Sequence, residues 1–266
     1  MIEDHVPARS RLWLFAIGGL VIAFLILPVL IVIPISFSDS TLLEFPPRVY
    51  SLRWYTALLG SLEWRDAAWM SVKVAVLTML VATPVGTAAA YGLHVGGFRL
   101  AGALRMLVLA PLLVPVILTA IGIFYVYALL GLNNTLLGLV LAHSMLALPF
   151  VVVSVGAGLR SYDMTQERVA RSLGAARFRA FRSITLPQIR VSVLSGALLA
   201  FITSFDEVIV AFFISGGEMS TLPRRMFNAL RDQIEPTIAA ISTILVVLSV
   251  ATVAVLEVMR RPARRD

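Results

Sequence analysis

Gln166-Glu167-Arg168-Val169-Ala170-Arg171-Ser172-Leu173-Gly174-Ala175, with Leu186-Pro187 further on, lies in a basic segment from Arg160 to Arg190 that is flanked on both sides by apolar runs. Seven of the chain's 22 basic residues fall in that segment. Most of the surrounding sequence reads as membrane. A charged, helix-forming insert in such a chain is a candidate contact surface for something soluble.

The chain has 266 residues, 59% hydrophobic and 14% charged, with a mean hydropathy of +0.92. A soluble domain carries roughly 25% charged residues, so the composition predicts an integral membrane protein. A pI of 10.5 does not imply nucleic acid as a partner, because basic residues gathered between apolar spans follow from membrane topology. The absence of cysteine excludes a disulfide framework, a Cys-ligated metal and a thiolate nucleophile. No metal site and no catalytic residue is expected.

Crossing the hydrocarbon takes about 20 mostly apolar residues in helical form. Six stretches qualify: Leu12 to Ile35, Ala67 to Leu93, Leu104 to Leu130, Thr135 to Leu159, Val191 to Ser215 and Thr237 to Leu256. The first is too long for a signal-peptide core and lacks a small-residue cleavage site, so it reads as a retained helix. The prediction is an all-α polytopic membrane protein. Prolines 28, 34, 84, 111, 115 and 149 invite kinks. Small pairs four apart, Gly86 with Ala90, Gly138 with Ala142 and Gly196 with Ala200, allow close helix approach.

An even number of spans puts both termini on one side. Arg9, Arg11, Arg99, Arg105, the seven loop arginines and Arg260, Arg261, Arg264 and Arg265 then share a side, against Arg48, Arg53, Arg65, Arg224, Arg225 and Arg231 on the other. The richer side is cytoplasmic by the positive-inside rule. This gives a cytoplasmic tail over 1–11, a membrane domain over 12–258 with a cytoplasmic loop at 160–190, and a basic tail over 259–266.

Within the loop, Asp163 can cap a short helix starting at Met164, and Gly174 is a natural stop. A second helix is predicted from Ala175 to Ile184, with Phe178, Phe181 and Ile184 on one face, and Pro187 restarting the chain. Two short helices around a glycine turn make a knob that fits a partner's groove. A loop lying on the headgroups would carry the same arginines.

The loop resembles the coupling loop of bacterial ABC importer permeases, whose pattern is Glu-Ala-Ala-x-x-x-Gly with a later Leu-Pro. Aligned on Gly174, the Ala-Ala falls on Val169-Ala170 and the glutamate on Arg168, with Glu167 displaced by one position; Leu173, Phe181 and Leu186-Pro187 stand where the pattern has them. The resemblance implies the six-helix fold of type I importer permeases with both termini cytoplasmic. It also implies a docking element for an ATPase subunit formed by Glu167, Arg168, Val169, Ala170, Leu173, Gly174, Ala175, Phe178, Leu186 and Pro187.

The C-terminal third continues the likeness. Ser204-Phe205-Asp206-Glu207-Val208-Ile209-Val210, Phe213-Ile214-Ser215-Gly216, Thr221-Leu222-Pro223 and Glu235-Pro236 look like the second permease of spermidine/putrescine-type importers. What this implies is a non-catalytic subunit, multi-pass in a bacterial inner membrane, that moves a small cationic solute inward. Its implied partners are a second permease in a heterodimer, two ATPase subunits that hold ATP and Mg, and a periplasmic substrate-binding protein. The binding protein would dock on the segments around Ser36 to Asp66 and Gly216 to Pro236.

Asp206 and Glu207 interrupt an apolar run, and a carboxylate in a membrane should face protein or a water-filled cavity. On a continuous helix the two would point about 100° apart. One reading has them line the route of a cationic substrate, with Tyr125 a further polar group on that path; the other pairs them with a polar group at a permease interface.

His143 beside Ser144 makes a poor catalytic dyad, and no nucleophile elbow or His-Glu-x-x-His motif is present. The single lysine, Lys73, lies in a span and not in a phosphate-binding loop. ATP must then be hydrolysed elsewhere if transport is active. A self-contained carrier or channel is the other transport reading, for which inverted repeats of broken helices would be the sign.

Overall fold

The computed structural model describes residues 8–97, 99–232 and 236–260. The tail before Ala8, Glu235 of the Glu235-Pro236 pair, and Arg261, Arg264 and Arg265 lie outside them. The chain divides into two compact units, Met1–Leu62 with Asn228–Asp266, and Glu63–Phe227. The named elements are all helical, and the pairing Ser38 with Tyr50 is an isolated antiparallel bridge.

In the first unit, α1 (Ala8–Ser36) carries Pro28 and Pro34 without a break. From Trp13 on it is apolar all round, and Leu20 and Phe24 are 71% and 74% exposed, as expected of a helix whose solvent is lipid. At its end Ser36 Oγ and Tyr55 Oη lie 2.7 Å apart. Tyr55 belongs to α2 (Arg53–Gly60), where Trp54 Nε1 donates to the Ser40 carbonyl at 3.1 Å.

The second unit is built on α3 (Leu62–Val95) and α6 (Leu136–Ser161), both long enough to span. Between them come α4 (Ala101–Leu109) with a 3-10 turn over Ala110–Leu112, and α5 (Val116–Leu130). After α6 follow the loop helices α7 (Thr165–Ser172) and α8 (Arg177–Ala180), a π turn Phe181–Thr185, and α9 (Leu186–Gln188). Then come α10 (Arg190–Phe205), α11 (Ile209–Ile214) and α12 (Leu222–Asp232), in which the unit boundary falls after Phe227. The final helix, α13 (Thr237–Arg260), belongs to the first unit and packs against α1 and α2.

Small residues let α3, α6 and α10 approach closely. A Cβ on Gly86 would lie 2.7 Å from Val151 Cγ1, and one on Gly196 would lie 3.3 Å from Val151 Cα. Val151 is fully buried in this packing, with Ala82, Ala147, Val155 and Ala200 around it. Gly158 is tighter still: its Cβ would meet Ser192 Oγ at 2.4 Å. Gly138 is different from the other small residues singled out in the sequence. Its missing Cβ makes room for the Leu132 carbonyl, which would stand 2.2 Å away, in the turn where Thr135 caps α6.

Two spans expected to be continuous are broken. The third bends by 99° between Ala101–Leu112 and Val116–Leu130, because Pro115 has no N–H to continue the helix and its ring disfavours helical backbone at Val114. The fifth stops at Phe205 and resumes at Ile209. There is also an 81° bend between Arg177–Gln188 and Arg190–Phe205, so Pro187 sits in the first turn of a helix and the chain turns at Ile189 instead. By contrast Pro84 and Pro149 lie inside α3 and α6 with those helices intact.

Candidate functional site

The loop between α6 and α10 starts with Asp163, whose Oδ1 accepts from the Thr165 amide at 2.9 Å; that bond holds its carboxyl below the usual carboxylate range. Helix α7 ends at Gly174, which adopts φ +92, a conformation that costs glycine nothing. The Ala175 amide donates back to the Ala170 carbonyl at 3.0 Å, which closes the end of the helix.

The loop's contact residues separate by burial. Val169, Leu173 and Phe178 are exposed, Leu173 to 84%. Arg168, Gly174 and Pro187 are also exposed, while Ala170, Ala175 and Leu186 are half-buried. Glu167 is 1% exposed. Its carboxylate accepts hydrogen bonds from Tyr91 Oη and Thr185 Oγ1, so it faces the chain's own interior, and Arg168 next to it faces out. The Phe181 ring packs at a tilt against Tyr91, centroids 4.6 Å apart, and Arg177 stands 5.7 Å from the Tyr91 ring. Phe178, Phe181 and Ile184 therefore do not form one docking face. The π turn over Phe181–Thr185 also departs from the α spacing on which that shared face was expected.

Tyr91 and Thr185 escaped the sequence reading. Their signal is faint: a phenol one turn before the end of an apolar helix, and a threonine just before Leu186-Pro187.

The second feature is a cleft of about 660 Å³ where the two broken spans meet, lined by Leu112 and Val114 from one break, Asp206 and Glu207 from the other, and Phe150 of α6 among others. Ending α10 at Phe205 frees backbone groups on both sides of the break. Glu207 satisfies one side: Oε1 accepts from the Ile209 and Val210 amides at 3.1 Å each, and Oε2 from Ala211 at 3.0 Å. His143 satisfies the other, with Nδ1 3.2 Å from the Ser204 carbonyl and 2.9 Å from Ser204 Oγ. A carbonyl only accepts, so Nδ1 carries the proton.

The two carboxylates thus have different surroundings, for a reason other than the expected 100° divergence on one helix. Glu207 is committed to the start of α11. Asp206 is exposed at the cleft, with no ion pair among the described residues. Tyr125 is 66% exposed and packs edge-on to Phe124; it does not line this cleft.

Comparison with known proteins adds to these observations. Residues 82–264 match the family model of the binding-protein-dependent transport system inner membrane component. The chain is 30% identical to the spermidine/putrescine transport system permease protein PotC of Escherichia coli (strain K12), over 90% of each chain. It is 31% identical to the putrescine transport system permease protein PotI of the same strain, over 91% of this chain and 88% of that one. It is also 30% identical, over 75% of its length and 81% of the relative's, to the molybdenum transport system permease protein ModB of Mycobacterium bovis. Among solved structures, a bacterial ABC transporter involved in the import of the acidic polysaccharide alginate shares the fold, with a TM-score of 0.70 at 14% identity over 97% of this chain and 99% of that one.

Proposed function

The chain belongs to the family of binding-protein-dependent transport system inner membrane components, and on that premise we propose that it is the permease subunit through which an ATP-driven importer passes a small cationic solute of the polyamine class. It is a multi-pass helical membrane protein. The solute class rests on one observation, the Asp206 carboxylate at the cleft between two broken spans, with no ion pair among the described residues. A discontinuous helix at a binding site offers backbone groups as well as side chains to a solute, and a free carboxylate there favours a cation.

In this reading the six spans place both termini and the loop in the cytoplasm, in a bacterial inner membrane. The exposed set Val169, Leu173 and Phe178, with Arg168 beside it, docks on an ATPase subunit that holds the ATP and Mg. A second permease completes the pathway, and a periplasmic binding protein delivers the solute. Transport is a shift between two arrangements of the bundle, driven by contacts that nucleotide and loaded binding protein make differently with each. The chain itself carries out no chemistry.

The relatedness to a molybdenum permease supports a second reading, in which the same scaffold serves another solute, such as an opine, 4-aminobutyrate, iron or sulfate. Uptake by the reconstituted complex separates the two. Labelled spermidine and putrescine should be taken up in an ATP-dependent manner, and Asp206→Asn should lower that uptake about tenfold or more, the loss of one charge-assisted contact. Unchanged polyamine uptake by both Asp206→Asn and Glu207→Gln would remove the carboxylates from the path.

A further inference from the structure

At the end of the second unit that carries the loop, a cleft of about 180 Å³ opens between α3, α4 and α6. His94 from the last turn of α3, Arg105 of α4 and Arg160 from the last turn of α6 line it, over apolar walls that include Leu109 and Val152. No acidic residue lines it. None of the three basic side chains has an ion-pair partner among the described residues.

Ordinary topology accounts for basic residues at this end of the molecule, and the helix dipole accounts for some of them at the C-terminal ends of α3 and α6. Neither accounts for their arrangement. Arg105 is the middle residue of α4, away from the last turn where the dipole supports a cation. Arg160 reaches back over the preceding turn of α6, as helical side chains do. Its Nη1 would lie only 3.8 Å from a Cβ on Gly156, one turn back into the membrane. The lack of a side chain at Gly156 leaves this exposed guanidinium room beside the cleft, which both residues line. A guanidinium directed that way is stabilised by an anion at headgroup depth.

We propose that this cleft is a binding site for the phosphate of an anionic phospholipid in the leaflet on the loop side. Two guanidinium groups present planar donor forks suited to phosphate oxygens. The volume is below the roughly 300 Å³ at which pockets for drug-sized ligands begin, and it accepts a headgroup phosphate. Leu109 and Val152 continue the walls toward the hydrocarbon, where an acyl chain lies. Basic pockets between spans on the cytoplasmic side recognise lipid headgroups in this way. The site is separate from the cleft at Asp206 and does not depend on the solute.

The test is the intact permease–ATPase complex in nanodiscs of phosphatidylcholine containing a minor fraction of phosphatidylglycerol, with lipids that survive release counted by native mass spectrometry. The wild-type complex retains phosphatidylglycerol. The double variant Arg105→Ala/Arg160→Ala should retain it roughly thirtyfold more weakly, from the typical contribution of each basic residue near an anionic surface. Arg105→Lys/Arg160→Lys, which keeps the charge and loses the forks, should fall between. Size-exclusion elution of the assembled complex shows that each variant is folded. Equal retention by all three proteins would overturn the proposal. So would displacement of the bound lipid by millimolar inorganic phosphate, which would assign the cleft to a soluble anion.

Discussion

Tyr91, one turn before the end of α3, donates its phenolic hydrogen to the Glu167 carboxylate of α7. A membrane span is thereby tied to the loop helix through a group that water does not reach. Thr185 closes the other side of the same carboxylate. A force applied to the exposed face of α7 then reaches α3 through this contact as well as through the chain on either side of the loop.

Removing the Tyr91 hydroxyl leaves part of a buried carboxylate unpaired, which costs about 1–3 kcal/mol. Tyr91→Phe should therefore lower the stimulation of ATP hydrolysis by loaded binding protein while the complex still assembles. Arg168→Ala, on the outward side of the same helix, should weaken assembly with the ATPase instead. If Tyr91→Phe behaves as wild type in stimulated hydrolysis, the brace does not transmit motion.

The carboxylates at the break in the fifth span should respond differently to neutralisation. Glu207→Ala removes the acceptor of three amides and should lower stability by about 1–3 kcal/mol, read as a lower melting temperature of the detergent-purified complex. Asp206→Ala leaves those bonds in place and should melt within about 0.5 kcal/mol of wild type, as substitutions at exposed positions do. A larger loss for Asp206→Ala than for Glu207→Ala would mean that the capping pattern is wrong.

Three of the spans were readable because apolar runs of sufficient length admit few other structures, and α1, α3 and α6 fall close to the expected limits. The breaks were not. Six prolines had equal standing as kink sites, yet helices α3 and α6 run through Pro84 and Pro149 while the chain bends at Pro115. The break after Phe205 involves His143, 61 residues before its partner Ser204, and no local pattern encodes that. The loop shows the same division. Gly174 and the helix before it were legible as local chemistry, but the inward orientation of Glu167 depends on Tyr91, 76 residues away. Alignment on a motif could record that Arg168 stands at the family's glutamate position, but not that its neighbour is an internal brace.

Val151 sits between two glycines, and their substitutions should rank by distance. Gly86→Ala places a Cβ 2.7 Å from Val151 Cγ1, whereas Gly196→Ala places one 3.3 Å from Val151 Cα. Overpacking of this kind costs about 1–3 kcal/mol. The first clash is with the Val151 side chain, Cγ1 at 2.7 Å and Cβ at 2.8 Å, so Val151→Ala, which removes Cγ1 and keeps Cβ, should relieve Gly86→Ala in part, giving a positive coupling in a double-mutant cycle. The second is with backbone, and the same partner change should rescue it little. Thermal unfolding of the three single and two double variants checks both statements, and equal rescue would contradict the assigned contacts.

His143 gives the most direct check on the break itself. A leucine at that position keeps the volume but offers the Ser204 carbonyl no donor, leaving a buried acceptor unpaired at a cost of about 1–3 kcal/mol. Asparagine can place an amide N–H close to where Nδ1–H stands. The chain contains no cysteine, so Asp206→Cys provides a single thiol in this subunit at the edge of the cleft. Its labelling rate by a membrane-impermeant reagent, followed by the mass of this subunit, should change in the His143→Leu background and return toward the original value with His143→Asn. Equal rates in all three backgrounds would show that the backbone around Asp206 keeps its position without the histidine, and that Glu207 alone maintains the break.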